Sequence, residues 1–472
     1  MLRKLIVTSS LLSMSLANAM TVEEYLEQVK QNSLTYKSAT TQGEASDAVA
    51  READLITSPK LFASARSSAD SIIGTPPVRM YNELKTNAFQ VGVSQTFDFG
   101  LDLKLSVNAN KQNLVNFSSN GQSPRYWDVQ PGVEFTLPLW AGGFGSLIRA
   151  QEELTRKQNK ADSYANYSLS LQTLAEAENA YYALALAQER LTIQERSLSA
   201  GKNILSFVTG QRNKNLGETA DVLQAKALVE AYELQLKQAQ NQLLKAERDF
   251  NKLLNKDLKA EVAKLDKVDF SRLISLKHPT TRPGDRFDVL AQRAQIDLAK
   301  ASSDLVLERN KPQLNLMGGY KVQGRDNEKV SKAFSDVSND HYGRYIGVQF
   351  SMPLNVQALN DARGGAQRLK EAASIKEANL EYSQNQDWTN IRETLQEAQS
   401  SLTLALGMER AQKAKLENER VRLRQGRTTT YQVLLFEQDY TNAQASTLAI
   451  ANQIIALNAQ LKLFVANPQG DK

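Results

Sequence analysis

Long runs without glycine or proline are the feature of this sequence that most constrains its fold. Residues 146–200, 218–277 and 427–467 contain neither residue type, and residues 366–425 contain only Gly407. These runs are rich in Ala, Leu, Gln, Glu and Lys, which are good helix formers. A helix of about 60 residues, rising about 1.5 Å per residue, would be about 90 Å long. Helices of this length indicate coiled-coil packing or a tube.

Short breaks divide the helical runs into two pairs. Each break contains a glycine, then threonine, then Val-Leu: residues 217–223 read GETADVL, and residues 426–434 read GRTTTYQVL. Glycine suits the end of one helix, and threonine suits the N-cap of the next. The sequence therefore predicts two helical hairpins, each with its tip at one of these breaks.

A strand-like phrase occurs twice between the helical runs. Residues 132–139 read GVEFTLPL and residues 347–354 read GVQFSMPL, with five of the eight positions identical. In the first copy Val133 and Phe135 point to one face of a strand, and Glu134 points to the other. A barrel strand with an apolar outside and a polar lumen alternates in this way. A half-buried strand of a soluble sheet alternates equally well.

The N-terminus favours the barrel. Residues 1–19 combine a basic start, a short apolar stretch and the Ala17-Asn18-Ala19 cleavage motif, which predicts a secretory signal peptide. No other apolar run approaches the roughly 20 residues that a membrane helix needs. If the exported chain spans a membrane, it must use a β-barrel. We therefore expect a mainly α protein with β-strands, built from two internal repeats.

The two repeats differ in length between equivalent prolines. Pro59 and Pro138 are 79 positions apart, whereas Pro312 and Pro353 are only 41 apart. The additional 38 residues of the first repeat contain two further alternating runs. They predict an extra hairpin near residues 88–117, but the sequence leaves open whether this hairpin joins the barrel.

Composition excludes several classes of site. The chain has no cysteine, which rules out disulfides and thiolate metal sites, and its two histidines, His278 and His341, are far apart. The net charge of +5 mixes 57 basic with 52 acidic residues, and no basic stripe of the kind that binds nucleic acid is present. We therefore expect a protein that is not an enzyme, with no cofactor, no metal and no nucleic-acid partner.

Four motifs occur in a fixed order around the two predicted hairpins. They are AYYALALAQERL at 180–191, DVLQAKALVEAY at 221–232, the long segment from RPGDRF to QLNL at 282–316, and RQGRTTTYQVL at 424–434. In this order they resemble the TolC-like outer membrane efflux protein family, over residues 21–467. The resemblance implies a homotrimer. Each chain would give strands to one shared outer-membrane β-barrel and helices to one long periplasmic α-helical barrel.

The resemblance also implies a function. The protein would be the outer-membrane exit duct of a tripartite export system, with a large periplasmic part, and would carry substrates passively. Its partners would be a periplasmic adaptor (membrane fusion) protein, an inner-membrane pump of the RND or ABC type, and outer membrane lipid. Two alternatives stay open: type I protein secretion, rather than small-molecule efflux, as the main role, or a non-channel exported coiled-coil spacer.

The expected domain organisation follows from the repeats. A signal peptide at 1–19 precedes a first repeat at 20–260 and a second repeat at 261–472. Helices are expected at 20–57, 145–260, 284–310 and 361–467, and barrel strands at about 58–139 and 311–354.

Three sets of functional residues are implied by the resemblance. The best-known member of the family carries gate aspartates where this chain has Gln432 and Leu435, so a ring of carboxylates is not expected here. The first tip also departs from the family spacing between its glycine and Asp221. The expected adaptor-docking tips are Gly217, Thr219, Asp221, Gly426, Arg427 and Thr428; the expected periplasmic gate is Tyr431, Gln432, Leu435 and Arg427; the expected strand-to-helix corners are Pro138, Gly142, Gly143, Pro353, Gly364 and Gly365.

Overall fold

A computed structural model of the chain describes residues 20–71, 81–117 and 124–464. The expected signal peptide and the last residues of the final expected helix, 465–467, lie outside these ranges. The chain divides into two compact units, each assembled from both repeats. The helical unit comprises Met1–Gln42, Ala165–Val289 and Glu381–Lys472, and the sheet unit comprises Gly43–Tyr164 and Leu290–Leu380.

Helices make up most of the described residues. The two longest, α3 and α8, contain 68 and 69 residues. Among the residues that the structure describes, no helix combines the length and the hydropathy needed to cross a bilayer. The α-helices are α1 Val22–Asn32, α2 Leu34–Val49, α3 Ser146–Asn213, α4 Thr219–Leu253, α5 Phe270–Ser275, α6 Phe287–Arg309, α7 Val330–Ser335, α8 Val356–Arg424 and α9 Thr430–Leu461.

The described residues of the sheet unit form one six-stranded antiparallel sheet, in which the strands neighbour one another in chain order. The duplicated phrase lies at the end of the last strand of each repeat, in β4 and β6. The extra hairpin forms β2 and β3, which pair with each other and with β1 and β4. The strands are β1 Lys60–Asp70, β2 Glu83–Thr96, β3 Asp102–Val115, β4 Arg125–Pro138, β5 Gln313–Asp326 and β6 Ser338–Ser351.

Two consecutive glycines in β5 let aromatic rings lie against both faces of the sheet. A Cβ atom on Gly318 would lie 2.4 Å from Cε1 of Phe135, its neighbour on β4. A Cβ atom on Gly319 would lie 2.6 Å from Cε1 of Tyr345, its neighbour on β6. The rings therefore occupy the space that side chains would need, which covers the glycine backbone and helps to fix the register.

Aromatic residues anchor α1 within the helical unit. The Tyr25 ring stacks on Phe250 of α4 at a centroid distance of 4.0 Å, and its hydroxyl donates to the Phe250 carbonyl at 3.0 Å. Tyr181 of α3 donates its hydroxyl to the Met20 carbonyl at 2.6 Å. Burial raises the pKa of Tyr181 to about 12. These contacts hold the start of the described chain against the two helices of the first hairpin.

The fourth helix ends earlier than the absence of glycine and proline suggests. It stops at Leu253, because Asn255 adopts a left-handed conformation with φ of 54°. The Lys256 N–H then donates to the Asn251 carbonyl at 3.0 Å, which closes the helix end. Asparagine tolerates this conformation better than most residues. The expected helix over 145–260 is therefore wrong beyond Leu253.

The expected corner at Gly364 and Gly365 is also wrong. Both glycines lie inside α8, which begins at Val356. The Asn355 side chain accepts a hydrogen bond from the Ala358 N–H at 3.0 Å and so satisfies a free donor at the helix start. A glycine inside a helix costs only about 1 kcal/mol, and a helix of this length tolerates two of them. The chain leaves the sheet near Pro353, between the end of β6 and the start of α8.

Candidate functional site

The second hairpin tip is closed by a pair of backbone hydrogen bonds. Gly426 adopts φ of 70° just after α8. Its N–H donates to the Leu423 carbonyl at 3.0 Å, and the Arg427 N–H donates to the Arg422 carbonyl at 2.9 Å. This is the Schellman arrangement, which favours glycine at the left-handed position. Thr429 then caps α9 by accepting a hydrogen bond from the Gln432 N–H at 3.4 Å.

The first tip has the same geometry with a different residue. Asn215 takes the left-handed conformation with φ of 59°. Its N–H donates to the Arg212 carbonyl, and the Leu216 N–H donates to the Gln211 carbonyl, both at 2.9 Å. The expectation that Gly217 ends this helix is therefore wrong, because Asn215 does so.

The N-cap of the first tip also differs from expectation. Thr219 is the first residue of α4, and Glu218 is the N-cap, without a side-chain capping bond. Aligning the left-handed residues places Asn215 opposite Gly426, and Asp221 opposite Gln432. The Val-Leu pairs that follow then also align. This alignment removes the offset that the glycines alone suggest.

A small apolar cluster holds the ends of all four long helices together behind the tips. Val433 is fully buried, and Leu416 of α8 and Val208 of α3 are almost fully buried. Since these side chains come from both hairpins, the cluster fixes one tip relative to the other within the helical unit. Its buried members are Ile204, Val208, Ala225, Leu416, Val433 and Leu434.

Next to the cluster lies a buried charged pair. The Arg420 guanidinium of α8 donates to the Glu437 carboxylate of α9. Glu437 is buried, whereas the Arg420 side chain is 41% exposed. Burial raises the pKa of Glu437 even though Arg420 opposes the shift. The pair therefore ties α8 to α9 through a carboxylate that is poorly solvated.

Other polar contacts lie at the same level of the helical unit. The hydroxyls of Ser197 on α3 and Thr441 on α9 are 3.0 Å apart and share a hydrogen bond. Burial raises the pKa of Tyr232 on α4, and the charge of Glu437 adds to this shift. All four long helices thus contribute a polar side chain to this layer.

A groove of about 690 Å³ opens between α3, α8 and α9 beside the charged pair. Its charged lining contains more basic than acidic side chains, and Arg420 pairs with Glu437 at short range. Lys413 lies 4.0 Å from Glu417. The charged lining residues are Arg196, Lys413, Glu417, Arg420, Arg424 and Glu437.

The residues expected to form a gate lie together on one exposed face of the second tip. Tyr431 is 55% exposed and Leu435 is 40% exposed, one turn apart on α9. Gln432 and Arg427 are exposed as well. The intervening Val433 is fully buried against the other helices. The expected gate residues are therefore free to face a lumen or a neighbouring chain.

In the sheet unit, the strand register puts apolar residues on one face. Val91 of β2 pairs with Ala63 of β1 and Val107 of β3, which in turn pairs with Pro131 of β4. The same face continues through β5 and β6, where Leu316 pairs with Val348. Many of these side chains are exposed, including Leu61, Phe89, Val91, Val93, Leu105, Ile346, Val348 and Phe350.

The opposite face is polar and charged. Lys104 of β3 lies 3.9 Å from Glu134 of β4. Asp128 accepts hydrogen bonds from Gln130 at 2.9 Å and from Gln323 at 2.6 Å. Along β2, Phe89, Val91 and Val93 are exposed, while the residues between them are half-buried. This pattern indicates a curved sheet with its apolar face on the convex side.

A tight corner joins β4 to α3. Gly142 and Gly145 have φ of 76° and 77°. A Cβ atom on Gly145 would lie 1.7 Å from the Asp98 carbonyl oxygen in the β2–β3 turn. Because the turn of the extra hairpin packs directly against the corner, only glycine fits this position. Pro138 ends β4, and Gly143 lies in the short helical turn after Gly142.

No group of acidic or histidine side chains that could hold a metal ion occurs within the part of the chain that the structure describes. The features that stand out in the described residues are a two-faced sheet and two packed helical tips. Sequence inspection missed Asn215 and the Arg420–Glu437 pair. The helix end at Asn215 could have been predicted, because asparagine tolerates the left-handed conformation. The pairing of Arg420 with Glu437 depends on packing between helices.

Comparison with known proteins supports this arrangement. Residues 85–256 match the family model for outer membrane efflux protein. No curated protein sequence matches the chain. Among solved structures, the outer membrane protein VceC from Vibrio cholerae is 14% identical to this chain, with a TM-score of 0.67. The match covers 94% of this chain and 96% of that chain.

Two further solved structures are similar over nearly the whole chain. The Campylobacter jejuni CmeC outer membrane channel has a TM-score of 0.64 at 14% identity, with 98% of this chain and 92% of that chain covered. The Neisseria gonorrhoeae MtrE outer membrane channel, in its open state, has a TM-score of 0.62 at 15% identity, with coverage of 94% and 89%. The expected fold class is confirmed, and the expected family resemblance agrees with the family model matched by residues 85–256.

Proposed function

We propose, from the premise that this chain has the fold of TolC-like outer membrane channels, that three copies form the exit duct of a tripartite export system. The strands would line a shared barrel in the outer membrane, and the long helices would continue it into the periplasm. Substrates would pass through without an energy source in the duct itself. The observation that carries the proposal is the sheet with an apolar convex face and a polar face, joined to two helical hairpins.

The faces of the sheet support the placement in a membrane. An apolar outer surface is what lipid requires, and a polar inner surface is what a water-filled lumen requires. Within the described residues, both edge strands, β1 and β6, have a neighbouring strand on one side only. Unpaired backbone groups are not tolerated in lipid, so a single chain cannot be complete in a membrane. Further copies would supply the missing pairs.

The tips support docking of a periplasmic adaptor, with an inner-membrane pump as the source of energy. Schellman hydrogen bonds close both tips, and the apolar cluster packs one hairpin against the other behind them. We assign docking to Gly217, Thr219, Asp221, Gly426, Arg427 and Thr428 as part of the proposal, with Asn215 added because it shapes the first tip. The exposed residues Arg427, Tyr431, Gln432 and Leu435 are proposed as the gate.

A deletion strain tests the proposal. We expect the strain to accumulate a fluorescent dye and to become more susceptible to antibiotics and bile salts, and we expect the plasmid-borne gene to reverse both effects. The culture supernatants of the two strains are compared by mass spectrometry in the same experiment. Loss of a few large proteins with unchanged susceptibility would move the role to protein secretion. Unchanged susceptibility, dye content and supernatant would contradict an exit duct.

A further inference from the structure

The β2–β3 hairpin has no counterpart among the described residues of the second repeat. The strands β1 and β5 each follow a proline, Pro59 and Pro312, and β4 and β6 each carry a copy of the duplicated phrase. The second repeat therefore has two strands where the first has four. If both repeats had the simpler form, a trimer would have four strands per chain.

The extra hairpin has the same two faces as the rest of the sheet. Val91 of β2 and Val107 of β3 are register partners on the apolar face, and Gln90 and Asn108 are partners on the polar face. Each strand of the hairpin is 14 residues long, as are β4, β5 and β6. A hairpin that projected into water would not need an exposed apolar face aligned with that of its neighbours.

The edges of the sheet are suited to a second copy of the chain. Six is an even number, so the edge strands β1 and β6 run in opposite directions along an antiparallel sheet. Pairing of β6 with β1 of a neighbouring copy would then continue the antiparallel pattern. Antiparallel closure removes both edges, which an isolated chain would leave open to aggregation.

We propose that β2 and β3 are part of the membrane wall and that three copies close an eighteen-stranded barrel through β6–β1 pairing. This inference rests on the proposed trimeric duct. Strands about 4.8 Å apart and tilted by about 40° give a backbone diameter of about 36 Å for eighteen strands and about 24 Å for twelve. At the membrane, the duct would thus be about one and a half times as wide as a duct built from two strands per repeat.

Single cysteine variants test the position of the hairpin, because the chain contains no cysteine. Trimers in outer-membrane vesicles are treated with a maleimide that cannot enter lipid. We expect labelling of Gln90→Cys and Asn108→Cys through the lumen, and protection of Val91→Cys and Val107→Cys by lipid. The matched controls on β6 are Gln349→Cys and Val348→Cys, which lie on the polar and apolar faces.

Labelling on β2 and β3, compared with labelling on β6, distinguishes failure of this inference from failure of the proposed duct. Any pattern other than alternation on β2 and β3, with alternation retained on β6, would place the hairpin outside the wall and overturn the inference while leaving the duct intact. Loss of alternation on β6 as well would overturn both proposals. Counting strands in the wild-type trimer by electron cryomicroscopy gives an independent check, and twelve strands would refute the inference.

Pore width is the second readout. A variant without residues 82–117 joins the outer end of β1 to the outer end of β4, so it keeps the direction of β4. Polymers of graded size, added to the barrel side of single channels in planar bilayers, measure the exclusion limit of the mouth. We expect the limit of the variant to be smaller by about a third in diameter, in proportion to strand number. An equal limit in both trimers would contradict the wider barrel.

Discussion

The Arg420 guanidinium on α8 donates a hydrogen bond to the buried Glu437 carboxylate on α9, a short distance behind the second helical tip. The pair joins the two helices of one hairpin. Ser197 and Thr441 make a similar link between the two hairpins at 3.0 Å. Polar contacts of this kind require a fixed helix register, because each group loses its partner when a helix slides.

Removing Arg420 is expected to destabilise the helical unit. In Arg420→Ala, the Glu437 carboxylate stays buried without its cation, which costs about 1–3 kcal/mol. Glu437→Gln keeps a neutral acceptor and should cost less. Thermal unfolding followed by circular dichroism gives the order of the two variants. A greater loss in Glu437→Gln than in Arg420→Ala would show that the unpaired carboxylate is not the source of the cost.

The pH dependence of stability should also change in Glu437→Gln. Burial raises the pKa of Glu437 in the folded protein above its usual value of 4.5. The folded state then binds the proton more tightly than the unfolded state, so this group adds stability at low pH. Its contribution is lost as pH rises through the raised pKa.

Comparison of the two proteins isolates that contribution. The unfolding free energies of wild type and Glu437→Gln are measured between about pH 4 and pH 8. The stability of the wild type relative to the variant should fall as pH rises. A difference that is constant with pH would mean that Glu437 titrates alike in the folded and unfolded states.

Gly145→Ala should prevent correct assembly. The φ of 77° disfavours any side chain, and the Cβ atom would lie 1.7 Å from the Asp98 carbonyl oxygen. The strain alone costs about 1–3 kcal/mol, and the clash adds to it. Gly143→Ala is the matched control, since its Cβ atom would lie 3.8 Å from its nearest neighbour, the Pro138 carbonyl oxygen. Heat-modifiable trimers on gels are the readout, and equal trimer yields from both variants would refute the argument.

The tips should respond to substitution according to their left-handed residues. Gly426→Ala places a Cβ atom in open space but keeps φ near 70°, so it should cost about 1–2 kcal/mol. Gly426→Asn should cost less, because Asn215 already fills the equivalent position. Asn215→Gly should be neutral or stabilising. Thermal unfolding tests this order, and a larger cost for Asn215→Gly than for Gly426→Ala would contradict the shared geometry.

The gate proposal predicts a change in conductance. Arg427→Ala and Gln432→Ala each remove an exposed side chain at the second tip. If these side chains narrow the closed duct, conductance of the closed state in planar bilayers should rise at least about twofold. Arg424→Ala is the control, because it removes the same charge from the groove at the end of α8. Unchanged current in both tip variants, or an equal rise in the control, would remove these residues from the gate.

Much of the fold could be predicted from the sequence, because the spacing of apolar residues distinguishes strands from helices. The alternation around Val133 and Phe135 and the runs without glycine both produced elements that the structure contains. The positions at which helices begin and end were harder to predict. Asn215 and Asn255 end helices in the left-handed conformation, whereas Gly364 and Gly365 lie inside one. Glycine marks a permitted break, and local capping by Asn355 or Asn215 decides where the break occurs.

The candidate site was less predictable than the fold. The family resemblance indicated the tips, but the partners of Arg420 and the close approach of Asp98 to Gly145 depend on contacts between distant segments. Membership of the β2–β3 hairpin in the sheet likewise depends on pairing with β1 and β4. Alternation alone could not decide between a wall strand and a projecting loop.

The β2–β3 hairpin starts and finishes at the same end of the sheet. Such a unit can be gained or lost without reversing the strands that follow it, and every helix downstream keeps its direction. The bore of a duct built this way changes in whole steps of two strands per chain, and symmetry multiplies each step across the assembly. Evolution could therefore adjust the opening at the membrane while leaving the helical end, and whatever machinery it meets, unaltered.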